Sequence, residues 1–486
     1  MLMLLMIILH LSSVQSACLG VDECNCEPVA DGVVINCRNR DLTSVPTFDL
    51  TNSPKQYAEL TLAGNQIESI PGTAFTGLQF RRLDLSDNPL VRLDPLALGG
   101  VQQHLNELTL SLSRVAEFPS AAISQLTELQ ILHVTGFTGS QLPSGTFANL
   151  TKMVKLQLTS GSLTTLNAGD LVSQRGSLRT LILHGNEFSA LPTTALSTST
   201  MLESLDISRN QISSLPADIF ARSVNLKLVD LSNNGLGSGG LDASTFRSIG
   251  NQLQSLTMKS CQLTDRDVEA LRHLHGISEL TLSYNFIANL PTSLFNRMRS
   301  LRQLRLDHNQ LQTVIRSTFA STASTLQVLD LSHNPLYSVP EDAFLDLNYL
   351  QELRLDGVTT LQLGVNSFSL HHRRVLRTLS VRNTGIGDQL WPMVSNLKKL
   401  STLIASESSI SSIPEFTFRR NSALRTIDLS SNSISSLTQK SVFGLAGSLS
   451  SINLRGNRIT TIHQCTFYGF RSVYLSNIYM FMDASL

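Results

Sequence analysis

Asp330, Ser332 and His333, in the run DLSHN, are the three residue types of a hydrolytic triad. On an extended strand Asp330 and Ser332 share one face and point outward. A triad also needs an oriented base and an oxyanion pocket, which an open, shallow sheet does not supply. His273 and His275 in LRHLHG, and His371 and His372 in LHHRRV, are ligands by type only. No carboxylate or cysteine stands at a matching spacing, so they read as surface or packed histidines. The glycine-rich stretch GLGSGGLDASTF, residues 235–246, looks like a phosphate loop. The leucine register runs through it as a three-residue insertion and no nucleotide-binding βαβ unit follows, so a flexible loop is expected. No metal and no cofactor is expected.

Cysteine chemistry is more informative. Of six cysteines, Cys18, Cys24, Cys26 and Cys37 are packed together, while Cys261 and Cys465 stand apart. Four clustered cysteines in an exported chain imply two disulfides. The alternative, a four-cysteine zinc site, has unusual spacing with one residue between Cys24 and Cys26, and an oxidising compartment disfavours free thiolates. The first residues, MLMLLMIILHLSSVQSA, are an apolar run followed by small residues, a secretory signal peptide over 1–17 cut after Ser16 or Ala17. Against this, the usual positive residue at the start is missing; the alternative, an uncleaved anchor, needs a longer run of about 20 residues. No later segment is long and apolar enough to span a bilayer, and the expected product is secreted.

Charge excludes one class of partner. Lys and Arg number 37 and Asp and Glu also 37, so no broad field attracts nucleic acid or an anionic membrane. Hydrophobic residues make up 42% of the chain, enough for a continuous core.

The elements that must position all these residues are repeated. From residue 57 almost to the end, one pattern recurs, L-x-x-L-x-L-x-x-N-x-L-x-x-L, as in YAELTLAGNQIESIP and LQVLDLSHNPLYSVP. The second apolar position of each unit falls at 60, 83, 108, 132, 156, 181, 205, 229, 256, 280, 304, 329, 353, 379, 403, 427 and 452, seventeen units at intervals of 23 to 27 residues. Within a unit the L-x-L core has period two, so it reads as a short strand with one apolar face. Five residues past this marker stands Asn in ten of the seventeen units, among them Asn65, Asn186, Asn210, Asn309 and Asn457. A turn out of the strand inside the molecule strands backbone N–H and C=O groups at about 1–3 kcal/mol each, and an amide side chain can pair with them. Cys261 takes the same place in LTMKSCQL and reads as a buried turn residue. Ten residues after that position comes an aromatic series, Phe75, Phe147, Phe220, Phe295, Phe319, Phe344, Phe368, Phe418 and Phe467, which reads as a stacked core spine. One unit cannot bury its own leucines, whereas stacked units cover one another.

This pattern resembles the leucine-rich repeat family in its extracellular form of about 24 residues. The resemblance covers about residues 18–470. It implies an α/β solenoid, curved, with a parallel inner sheet of about 17 repeats spanning 51–470 and short helical or 3₁₀ turns outside. The spacing C-x5-C-x-C-x10-C followed by RDLTSVP resembles the cysteine-rich N-terminal cap of Slit-like proteins, Toll-type ectodomains and small proteoglycans, here residues 18–50. The resemblance implies bonds Cys18–Cys26 and Cys24–Cys37. Two departures stand out. Ser113, Phe137, Gly161, Val358, Thr384 and Ser408 replace the turn Asn, which predicts less regular turns. No cysteine-rich C-terminal cap follows Asn457, so either the tail 471–486 shields the last repeat or the chain is a truncated or spliced form; Cys465 is then a stranded partner or a plain thiol.

Partner-binding residues are expected on the outward strand positions and the rim after them: Tyr284, Arg302, Arg305, Asp307, His308, Asp330, His333, Arg354, Asp356 and Arg382. With strands about 4.8 Å apart these make a dense surface of alternating charge. The competing reading is self-neutralisation, Arg305 with Asp330 and Asp330 with Arg354, contributing under about 1 kcal/mol per pair. Asn149, in Asn149-Leu150-Thr151, is the expected N-glycosylation site. The function these features imply is secreted recognition of an extracellular or cell-surface protein, or a glycan, on the concave face, in adhesion, receptor signalling or matrix organisation. Innate immune pattern recognition is a second reading, and a hydrolase or enzyme-associated subunit a third.

Overall fold

A computed structural model of the chain describes residues 18–50, 57–237, 239–337, 339–359, 361, 363, 367–368, 371–463, 465–470 and 474–476. The signal peptide expected over 1–17, and most of the tail, lie outside these residues. The chain divides into two compact units, one built from residues up to Asn234 without 216–218, the other from Gly235 onward together with 216–218.

In the first unit an antiparallel hairpin, Asn25–Val29 with Gly32–Asn36, carries the cap, and its second strand pairs in parallel with Tyr57–Thr61. Disulfides join Cys18 to Cys26 and Cys24 to Cys37 across separations of 8 and 13 residues. Loops this short stabilise by roughly 2–3 kcal/mol each in the chain-entropy account. Parallel strands then follow one per repeat through Ser204–Asp206 to Leu228–Asp230. In the second unit the parallel series runs from Ser255–Thr257 to Ser451–Asn453. Marker residues align across every junction, as in Leu280, Leu304, Leu329 and Leu353. The sheet also reaches into the stretch read as a tail, for Tyr474–Ser476 pairs with Ser451–Asn453 and puts Leu475 in register with Ile452.

All seventeen marker residues are 0–3% exposed, and Phe75, Phe147, Phe220, Phe295, Phe319, Phe344 and Phe418 are 0–1% exposed. Phe467 lies at the margin of this spine, half-buried. Helices among the described residues are few and short, the longest α-helix being Thr193–Thr198, so the α component of the α/β class is a set of turns.

The turn Asn side chains form a ladder that ties successive repeats together. Asn309 donates through Nδ2 to the carbonyls of Leu306 (3.0 Å) in its own repeat and Leu282 (2.9 Å) in the preceding one. Its Oδ1 accepts from the Ile287 N–H at 3.2 Å. Asn186, Asn210, Asn334 and Asn432 repeat this arrangement. Where Asn is missing, other chemistry fills the slot. Thr384 and Ser408 both donate their hydroxyls to the Val381 carbonyl, at 2.8 and 2.6 Å. Phe137 instead buries its ring edge-on against Phe118, centroids 5.1 Å apart. Cys261 is buried in the same turn, its N–H donating to Asn285 Oδ1 at 2.9 Å.

Candidate partner-binding face

All ten residues expected to meet a partner lie in the second unit, and the ladder fixes where each emerges. The residue immediately before each turn position has φ between 50° and 81° in sixteen of the seventeen units. The left-handed region costs most residues about 1–2 kcal/mol and suits Gly best, with Asn, Asp and His next. Eight of the sixteen hold Gly, Asn or Asp, with Gly185, Asn233, Asn383 and Gly456 among the occupants. The other eight are Ser160, Arg209, Ser260, Glu407, Ser431 and, in three consecutive units, the rings of Tyr284, His308 and His333, with φ of 59°, 55° and 56°.

Their rings stack into a column. Tyr284 and His308 have centroids 4.0 Å apart with planes 9° from parallel, and His308 and His333 follow at 4.3 Å. Lys259 Nζ caps the Tyr284 end at 4.7 Å from the ring centroid. At the other end lies Gly357, where a Cβ would meet His333 Nδ1 at 2.8 Å. Asp307 steadies the middle: one carboxylate oxygen lies 3.1 Å from His308 Nδ1 and the other accepts from Ser283 Oγ at 2.5 Å. Tyr284 is 45% exposed, and His333 is exposed as well. The spacing of Tyr284, His308 and His333 was readable as a rim; their backbone conformation was not, although the Gly, Asn and Ser found at sister positions were its signal.

The charged residues divide into committed and uncommitted groups. Asp330 is buried, 7% exposed, and accepts the Ser332 N–H at 3.0 Å, so it is not available to a partner as expected. Burial raises its pKa above the ordinary carboxylate value, and the Ser332 hydrogen bonds work against that rise. Asp330 does sit on the outer face, but in register between Arg305 and Arg354 on the flanking strands and hydrogen-bonded to Ser332 of its own repeat. Ser283, Ser332 and Ser380 on the same face are also buried. Arg354 pairs with Glu352 on its own strand, Nε to Oε1 at 2.5 Å. Burial opposes its charge, but Glu352, Asp330 and Asp356 together raise its pKa. Asp356 accepts from Ser380 Oγ at 2.5 Å and the Arg382 N–H at 2.8 Å. Arg382 reaches Glu407 with two nitrogens, at 2.6 and 3.1 Å, which raises its pKa. Among the described residues, Arg302 and Arg305 make no ion pair. Arg302 lies at the strand entrances, lining an open groove of about 440 Å³ with Gln254, Ser278 and Gln327, away from the ring column at the strand exits.

The other chemistry weighed from the sequence takes structural roles. Ser332 Oγ accepts the Asp356 N–H at 3.1 Å, and His333 is stacked on His308. His372 is fully buried against Phe368, and burial lowers its pKa to about 4. His275 Nδ1 is 3.0 Å from Asn251 Oδ1. Among the described residues no three His, Cys, Asp or Glu side chains cluster as metal ligands. The glycine-rich loop is pinned, because Asp267 accepts the N–H groups of Gly239 (3.0 Å) and Thr264 (2.9 Å). Gly237 is required there, since a Cβ would collide with the Gln262 carbonyl. Asn149 is exposed on a turn, its amide donating to the Ser124 carbonyl at 3.2 Å.

Comparison with known proteins agrees with this geometry. The leucine rich repeat family model matches residues 176–236, 251–311, 307–361 and 398–459. The chain is a leucine-rich repeat solenoid with a cysteine-rich amino-terminal cap. Tsukushi of Xenopus tropicalis is 29% identical over 195 residues, 40% of this chain and 54% of the relative. Podocan-like protein 1 of Homo sapiens is 29% identical over 205 residues, 41% of this chain and 38% of the relative. Transforming growth factor beta activator LRRC33 of Danio rerio is 27% identical over 198 residues, 39% and 28% of the two chains. The chain thus spans about half or less of the length of these relatives. Among solved structures, Toll in the Drosophila Toll–Spatzle complex superimposes with a TM-score of 0.59 at 20% identity, over 93% of this chain and 67% of that one. A leucine-rich repeat protein of Leptospira interrogans gives 0.52 at 22% identity, over 87% and 90%. At these identities the likeness is one of fold. Among the described residues no helix is long and apolar enough to cross a membrane.

Proposed function

We propose that this solenoid is an extracellular recognition protein that binds a protein partner through the exposed sheet face of its second unit, around Tyr284, Arg305 and His333. One observation carries the reading. Three adjacent repeats hold rings in a backbone conformation that Gly would adopt more easily and stack them into a column at an exposed surface, which points to a role outside folding. Support comes from the cap disulfides, which belong to an oxidising compartment, and from Toll, solved in complex with Spatzle. A repeat framework also presents a rigid surface with little conformational entropy to lose on binding. The reading is one of binding in place of catalysis, since Ser332 and Asp330 are engaged in local backbone bonds. Secretion and an N-glycan at Asn149 belong to the same proposal.

The test is a binding screen of the secreted protein against arrayed extracellular domains, repeated with an Arg305→Glu, Arg354→Glu double variant. A partner lost by the double variant, with the thermal transition unchanged, supports the reading; a partner retained at equal affinity removes this face. Peptide mass mapping that finds Asn149 unmodified in secreted material would eliminate the glycan.

A further inference from the structure

The face is not neutral in what it leaves for a partner. Between Lys259 and Arg382 its carboxylates are largely consumed within the protein. Asp307 holds Ser283 and His308, Asp356 holds Ser380 and the Arg382 N–H, and Glu352 holds Arg354. Asp330 is buried. The donors are less committed: Arg305 makes no ion pair among the described residues, and the exposed Tyr284 and His333 present polar ring edges. His308 sits between those two rings and sets their spacing, 4.0 Å on one side and 4.3 Å on the other.

We infer that the ring column and Arg305 form a recognition centre for an acidic segment of a protein partner. Its carboxylates would accept hydrogen bonds from the Tyr284 hydroxyl, a His333 ring N–H and the Arg305 guanidinium. Charge-assisted bonds of this kind are about twice as strong as neutral ones, and guanidinium matches a carboxylate with two parallel N–H groups. Tyr and Arg are also the residue types that dominate interface energetics. His308 is a positioning residue in this arrangement, held by Asp307 and serving as the spacer. The inference rests on the proposed binding face and goes further in naming the partner's chemistry.

The test measures fluorescence anisotropy of the intact protein with a labelled peptide of alternating Glu and Gly, with the Gln counterpart and a heparin oligosaccharide as separate arms. The Glu peptide is expected to bind at micromolar to sub-millimolar concentration and the Gln peptide to bind at least roughly tenfold more weakly. Arg305→Glu should weaken the Glu peptide by roughly tenfold or more. Tyr284→Gly with His333→Gly should do the same while leaving the melting temperature equal or higher, since glycine suits both positions. Failure of the Glu peptide to bind at millimolar concentration, equal binding by these variants, or binding of heparin alone overturns the inference. If the Glu peptide fails yet the Arg305→Glu, Arg354→Glu double variant still loses its partner in the screen, the acidic segment is wrong and the face stands. If the double variant also keeps its partner, both fall.

Discussion

The left-handed backbone before the turn recurs in both units, but three consecutive repeats of the second fill it with rings. Gly185 and Asn233 of the first unit take it at φ of 70° and 56°, and Gly357 and Asn383 of the second at 76° and 50°, whereas Tyr284, His308 and His333 of the second take it at 55° to 59°. The Asn ladder beneath is alike in the two places: Asn186 and Asn309 each bond a carbonyl of their own repeat and one of the repeat before. The fold therefore sets the conformation, and the side chain is free to vary within a strain of about 1–2 kcal/mol. Where that freedom is spent on rings, the surface has gained something the turn did not need.

The ladder is the shared feature, and breaking it should give the largest effect. Asn186→Ala and Asn309→Ala each leave backbone groups of two repeats without partners, and each should lower stability by about 2–4 kcal/mol in urea unfolding. A much smaller loss in one unit would show that the two turns are not equivalent. The next effect concerns His372, whose ring is buried with a hydrogen bond to the Leu347 backbone. Its folded pKa is depressed to about 4, below the ordinary 6.5, so between those values the unfolded chain binds more protons. This contribution is full above pH 6.5 and falls away as pH drops toward 4, by up to about 1–3 kcal/mol. His372→Leu should flatten that slope in melts taken from pH 7 to pH 4.5; an unchanged slope would place the sensitivity elsewhere. The smallest effect belongs to the surface pair Arg354–Glu352, for which Arg354→Ala should shift stability by less than about 1 kcal/mol.

Much of this architecture was legible in the residues. The marker spacing placed the strands, and the recurrent Asn placed the ladder, because a buried turn needs a donor and an acceptor at one point. The cysteine cluster placed the cap. Other features depended on neighbours that a single repeat does not reveal. Period-two alternation put Asp330 outward, but its burial arises among the flanking strands, which set Arg305 and Arg354 in register on either side of it. Phe137 looked like a defect in the turn, and it is instead satisfied by Phe118 from the preceding repeat. The strand Tyr474–Ser476 lacks the preceding L-x-x-L signature and was missed, since pairing with Ser451–Asn453 defines it. The division into two units falls at the three-residue insertion of 235–246, which the leucine register crosses without a break.

The central claim is that the ring column is held against local backbone preference for the sake of its surface. Its most direct test is a reciprocal exchange, His308→Gly in the second unit and Gly185→His in the first, measured by urea unfolding of each variant beside the parent. Relief of strain at 308 should leave stability equal or raised by up to about 1 kcal/mol, and imposing a ring at 185 should lower it by about 1–2 kcal/mol. A His308→Gly variant that unfolds more easily by 1 kcal/mol or more would mean that the stacked rings hold the fold together, and would contradict the account.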